Sequence, residues 1–220
     1  LQPAVYFHAK TILKYNFDKI NNIIHMILLF FIFSFLFLAV LFLFASPEFS
    51  PIPYFPSNPK DMKLIIGALD LKNNQTIIDL GAGDGIVIFN AAKKAYEEKL
   101  NTQFVAVDIN PILVLVMNIR RLFHPNRKNI YIVMEDMFKD NFKLKIENLI
   151  SNFKPASRGE FQISNYVFYL YISPWLLNRA LKVIKQYDGN KNIVSYFYAI
   201  KSLKEKKKLQ GIHSVYLYNL

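Results

Sequence analysis

No cysteine occurs in the 220 residues, which removes disulfides, thiolate metal sites and cysteine nucleophiles from consideration. Histidine is nearly as scarce. His8, His25, His124 and His213 are scattered, and none pairs at metal-ligand spacing, so no metal centre is expected. Acidic residues are outnumbered, 16 Asp and Glu against 27 Lys and Arg. The resulting +11 charge points to an anionic partner, whether lipid, nucleic acid or acidic protein. The excess is diffuse, and Lys, Asn, Ile and Phe abound throughout, so a compositional bias accounts for it equally well.

Charge is missing altogether from Met26 to Ala45, where Ser34 is the only polar side chain. Twenty helical residues rise about 30 Å, the thickness of a bilayer's hydrocarbon core. The run is apolar on every face, so it has no stripe to lay on a soluble core. A cleaved signal would be shorter and followed by small residues. Residues 26–45 are therefore expected to form a single membrane-spanning helix. Residues 1–25 mix apolar and basic side chains without clear periodicity and read as an interfacial segment. Residues 46–59 hold five prolines and read as an extended linker. The remaining domain is assigned to residues 60–220.

Orientation is contested. Lys10, Lys14 and Lys19 precede the span against Asp18, which favours a cytoplasmic N-terminus. The chain begins with Leu1 rather than methionine, so that count rests on a start that need not be the natural one.

From Lys60 the pattern alternates. Helical stretches are expected over Pro59–Leu69, Gly85–Leu100, Pro111–Phe123, about Phe142–Phe153 and Pro174–Tyr187. Strand-like runs are Thr76–Leu80, Gln103–Val107, Ile130–Met134, Asn165–Tyr171 and Asn192–Tyr198. That order predicts an α/β fold with a doubly wound, Rossmann-like parallel sheet. A last strand, Ser214–Leu220, should pair antiparallel at or near an edge. The lysine-rich stretch Lys201–Lys208 before it reads as a solvated turn or as an attraction to anionic lipid.

Ligands of such sheets bind beyond the carboxyl ends of the strands. Three of those ends are acidic, at Asp79, Asp108 and Glu135–Asp136. The first runs into D-x-G-x-G-x-G, with Gly81, Gly83 and Gly85 permitting a tight turn and close approach of a ligand. Ile86 breaks the dinucleotide pattern, and no G-K-[ST] phosphate loop is present. Asp84 inside the loop disfavours a phosphate and suits a cationic or neutral polar group. S-adenosylmethionine has an ammonium, a sulfonium and no phosphate. Asp108, 23 residues past Gly85, is placed to accept the ribose hydroxyls. Asp136 is placed to accept the adenine amino group, with Met137 against the ring. The cofactor residues expected are Asp79, Gly81, Ala82, Gly83, Asp84, Gly85, Asp108, Asn110, Asp136 and Met137.

With these motifs the region from Lys60 resembles the class I SAM-dependent methyltransferases. A narrower resemblance is to the single-span lysine methyltransferases that modify ATP synthase subunit c and the adenine nucleotide translocase. It rests on Tyr54, Pro56 and Ser57 in "PYFPSNP", on "DLGAGDG", on Asp108, Asn110 and Pro111 in "VDINP", and on Pro174 and Trp175. Ala82, Ile86, Ile112 and Asn165 depart from that family's usual residues, and Phe153–Glu160 looks inserted. The resemblance implies methyl transfer to a lysine of a membrane-associated protein, with the bilayer as partner. A lysine must shed its proton first, which a dry aromatic pocket favours. Tyr54 and Trp175 are the expected catalytic aromatics, with Phe55 and Tyr171 as further candidates. The alternatives are a lipid or small-molecule acceptor, such as a quinone, and a non-catalytic SAM-binding assembly module. The N-P-P-Y motif of base methylation is absent after the fourth strand, which argues against nucleic acid as acceptor. Since SAM is made in the cytoplasm, a single-pass protein with its domain on the cytoplasmic side is expected, against the charge count.

Overall fold

The computed structural model describes residues 3–46, 54–152 and 165–220, with backbone alone at 3–13, 15, 45 and 152. The chain divides into two units, Leu1–Ala45 and Ser46–Leu220.

The first unit is one helix, α1 (Pro3–Ala45, 43 residues). The segment expected at 1–25 is thus not set off from the apolar run by any break. Neither proline nor glycine occurs between Ala4 and Ala45, and Pro47 follows the last turn, where it cannot continue the hydrogen-bond ladder. Asn16–Phe44 is long and apolar enough to cross a membrane, and none of it is buried within the protein. Half of the linker expected at 46–59, residues 47–53, falls outside the described residues, as does the inserted stretch Phe153–Glu160.

The second unit is built on seven strands: β1 (Thr76–Leu80), β2 (Gln103–Asp108), β3 (Ile130–Met134), β4 (Asn165–Leu170), β5 (Asn190–Tyr196), β6 (Lys207–Gln210) and β7 (Ser214–Asn219). Their order is β3-β2-β1-β4-β5-β7-β6. The first five are parallel, while β7 runs antiparallel between β5 and β6. Every residue of β1 is buried, as a central strand covered on both faces requires.

The helices are α2 (Met62–Leu69), α3 (Ile86–Glu97), α4 (Pro111–Leu122), α5 (Phe142–Asn152) and α6 (Leu177–Lys185). One core joins Ile65 and Leu69 of α2, Ala91 and Ala95 of α3 and Met117 of α4 to Ile77 and Phe104. The other joins Phe142 and Ile146 of α5 and Ala180 and Ile184 of α6 to Ile78, Val105 and Phe168. The sheet is doubly wound, and its order reverses between β1 and β4.

Two elements differ from expectation. The lysine stretch read as a turn runs into β6, whose Lys207 and Lys208 are exposed along the sheet's outer edge. Four residues are too few for a period to show, and lysines on an edge strand deter further pairing. The β6–β7 hairpin is also clasped by a residue that no strand pattern marks. Asp61, buried ahead of α2, accepts from the amides of Ile212 (2.7 Å) and His213 (2.9 Å) and from the Tyr196 hydroxyl (2.8 Å). A Cβ on Gly211 would lie 2.2 Å from its Oδ1, so the hairpin turn needs a residue without a side chain there.

Candidate active site

A cavity of about 230 Å³ opens at the carboxyl ends of the strands, around the β1–β4 reversal. It is lined by Tyr54, Asp79, Gly81, Ala82, Gly83, Asp84, Asp108, Asn110, Asp136 and Met137 among others. Two residues named from the sequence stand apart. Gly85 sits at the start of α3, and Trp175 is 73% exposed and lines no part of the cavity. The aromatic wall expected at Trp175 is not assembled, because the turn Pro174–Leu176 carries that side chain outward while Leu176 lines the cavity.

Asp79 is buried at the end of β1 and makes no hydrogen bond or ion pair with any described residue. Burial, followed by repulsion from the Asp108 and Asp84 carboxylates, raises its pKa well above the ordinary 3.8. A buried carboxylate without donors is costly. It is an acceptor facing a cavity, and a cation or N–H donor placed there would discharge the cost.

The glycine loop is held from the next strand. Asp108 Oδ2 accepts from the Gly83 amide at 2.8 Å, and its Oδ1 accepts from Asn110 at 2.8 Å. Burial raises the Asp108 pKa, and these amides offset part of the rise. Asn110 caps α4 by accepting from Ile112 and Leu113, the preferred arrangement at a helix start.

Asp84 departs from the reading given to it. Its carboxylate pairs with Arg120 of α4 at 2.7 Å, and the same guanidinium reaches the Asp84 carbonyl at 2.8 Å. Its charge is already matched, so the demand for a cationic ligand falls on Asp79. Sequence reasoning missed this pairing because 36 residues separate the partners and only the α3–α4 packing joins them.

Tyr54 lies against the loop. A Cβ on Gly83 would come within 2.7 Å of its ring, so glycine is what allows the tyrosine to settle there. Burial, then the neighbouring Asp84 carboxylate to which its hydroxyl hydrogen-bonds, pushes its pKa up to about 12. Ser57 anchors the same segment, its hydroxyl 2.8 Å from that of Tyr169, with both residues buried. Tyr169 is the β4 partner of Asp79 in the parallel register. Phe55 and Tyr171 also line the cavity, though Phe55 is exposed.

On the third strand end, Glu135 is bound by Lys139 (2.9 Å) and Lys145, whose hydrogen bonds lower its pKa to about 2. Its neighbour Asp136 accepts only from the backbone amide of Phe138, at 2.9 Å, which leaves its other oxygen without a described partner. Arg179 of α6, not singled out in the sequence, lines the cavity with its guanidinium 4.0 Å above the Phe138 ring.

No family model matches the chain. Among curated proteins it is 28% identical over 109 residues to the probable ribosomal RNA small subunit methyltransferase A of Methanosphaera stadtmanae, a match that covers 49% of this chain and 37% of that protein. The chain thus spans little more than a third of that relative's length. Among solved structures it resembles an RNA methyltransferase from Salinibacter ruber, bound to S-adenosyl-L-homocysteine, with a TM-score of 0.56. Identity there is 16%, over 75% of this chain and 93% of that one. The fold is a Rossmann-like methyltransferase fold. In that fold the β1–β4 reversal, the glycine loop and the acidic ends of β1, β2 and β3 surround one cavity here.

Proposed function

We propose that the protein is a SAM-dependent methyltransferase anchored in a membrane by α1, and that its acceptor is a lysine of a membrane-associated protein. The observation that carries the cofactor reading is Asp79, a buried, unpartnered carboxylate on a cavity whose other walls are a glycine loop and two further acidic strand ends. The residues fit S-adenosylmethionine. Asp79 would face its ammonium, Asp108 its ribose hydroxyls, and Asp136 and Met137 its adenine. Bound there, the cofactor supplies an activated methyl carbon.

The protein's share of the work is orientation and exclusion of water. Asp108 fixes the loop through Gly83, so the cavity floor is set before a ligand arrives. The Ser57–Tyr169 bond holds Tyr54 and Phe55 at the mouth. A lysine entering between apolar and aromatic walls loses hydration, which lowers its pKa and favours the neutral amine. Tyr54, with its pKa near 12, stays protonated and serves as wall and hydrogen-bond donor rather than as base.

The lysine acceptor is supported by the resemblance of "PYFPSNP" and "VDINP" and by the position of the first of these at the cavity mouth. A second reading, an RNA base, is supported by the names of the two relatives and by the +11 charge. It lacks the N-P-P-Y element after β4. Membrane vesicles carrying the full chain, given methyl-labelled SAM with and without added RNA, separate the two. Label in protein, recovered as methyl-lysine, supports the first. RNA-only label supports the second, and NADH binding without SAM binding overturns both.

On this reading the domain faces the cytoplasm, where SAM is made. Protease added to intact cells should then spare everything after Pro51. Digestion of the domain while cytoplasmic markers survive would reverse the topology.

A further inference from the structure

We infer that the outer face of α4, with the loop that follows it, rests on the surface of an anionic bilayer. This extends the membrane reading of α1 and depends on it.

The helix is apolar on two opposite sides. Leu113 and Met117 face inward and are buried, whereas Leu115, Ile119 and Leu122 are 55%, 50% and 63% exposed. Phe123, just past the last turn, is 84% exposed. At 100° per residue these four outward side chains fall within an arc of about 100°. Exposed apolar residues scattered singly are ordinary, but a contiguous stripe along one helix marks a contact surface. Tyr96 and Lys99 from the end of α3 border the same ground, an open depression shared with Leu122, Phe123, Arg127 and Lys128.

Charge selects the occupant. From Ile109 to Met134 there is no acidic residue, against Arg120, Arg121, Arg127 and Lys128. Arg120 is committed to Asp84. Among the described residues Arg121 and Arg127 reach only backbone carbonyls, those of Arg127 and Leu122, and pair with no carboxylate there. The acids at the end of α3, Glu97 and Glu98, are paired with Lys93 and Lys94. An apolar ridge rimmed by cations sinks its side chains below the headgroups and sets its charges against anionic lipid. The same chain carries Asn16–Phe44, able by length and composition to span a bilayer, which would keep the domain at a lipid surface whatever its orientation.

These 220 residues contain no cysteine, so single labels can be placed cleanly. Phe123→Cys, Leu115→Cys, Lys185→Cys and Phe35→Cys variants of the full chain would carry an environment-sensitive fluorophore. Each is reconstituted in phosphatidylcholine vesicles with and without phosphatidylserine, then exposed to aqueous iodide and to a lipid-borne nitroxide. With phosphatidylserine, labels at 115 and 123 should shift to the blue, lose iodide quenching and gain nitroxide quenching. The label at Lys185, on α6 across the sheet, should keep its iodide quenching. Iodide quenching at 115 and 123 would overturn the inference. So would protection from both quenchers, which would mean that protein, not lipid, covers the face. Equal penetration without phosphatidylserine would overturn the anionic requirement. Phe35 reports the anchor separately. If its label escapes the nitroxide, the membrane reading itself fails. If it is quenched while 115 and 123 stay in water, only the present inference fails.

Discussion

Two aspartates in this domain are equally buried, at 2% exposure each, and they meet opposite fates. Asp61 is surrounded by donors. Burial works to raise its pKa, but the amides of His213 and Ile212 and the Tyr196 hydroxyl outweigh it, and the carboxyl lies below the ordinary 3.8. The Asp79 carboxylate has no donor among the described residues, and its pKa is raised. A carboxylate that joins elements is satisfied by the fold, and one left unsatisfied on a cavity is kept for something the fold does not supply. On the proposed function, the difference is that between an acid that joins elements and one that meets a ligand.

The largest effect should come from removing the clasp. Asp61→Ala leaves a buried hydroxyl and two partly buried amides without this acceptor, which should cost about 3 kcal/mol, read by chemical denaturation of the full chain in detergent. Linkage gives the pH dependence. A depressed carboxyl contributes stability above its unfolded pKa, near 3.8, and loses it as pH falls through the lower folded value. Acid unfolding of the parent should therefore be steeper than that of Asp61→Ala. Equal stability of the two proteins would remove Asp61 from its structural role.

Asp79→Asn sharpens the contrast from the other side. Stability at neutral pH should hold or rise, because a raised carboxyl contributes stability below 3.8 that is lost as pH climbs through its folded pKa. SAM affinity should fall by about 2 kcal/mol, the worth of a charged hydrogen-bond partner. In the parent, affinity should increase with pH as Asp79 ionises, and the variant should show a flatter profile. Calorimetry across pH reads both. A destabilised variant that binds normally would make Asp79 a loop-organising residue.

Tyr54→Ala should lower turnover by about tenfold, or about 1.4 kcal/mol, with a much smaller change in SAM affinity. An unchanged rate would leave Tyr54 as packing against Gly83 alone. The smallest effect is expected at Ser57→Ala, about 1 kcal/mol from loss of one buried hydrogen bond, and a thermal melt would register it.

The parallel sheet was legible because the strand signals are strong. Thr76–Leu80 and Ile130–Met134 are β-branched runs bounded by turns, and their limits match the observed strands. β6 was not legible, since four residues with two adjacent lysines carry no period. The boundary expected at Met26 followed the loss of charge, whereas helix geometry depends on the backbone, and no breaker lies there, so α1 runs through it. At the site, strand-end position brought Asp79, Asp108 and Asp136 to one cavity. Trp175 lies outside that cavity, carried by a short turn rather than a strand.

Composition and local pattern thus determined the apolar helix, the alternation of strands and helices, and the acidic strand ends beside a glycine loop. These follow from period, length and steric freedom, which are properties of neighbours in the chain. Which carboxylates are satisfied was decided only by the tertiary structure. Arg120 reaches Asp84 across 36 residues, Tyr196 reaches Asp61 across 135, and no described residue donates to the Asp79 carboxylate. Pairing of this kind depends on packing between distant segments, and no local pattern encodes it.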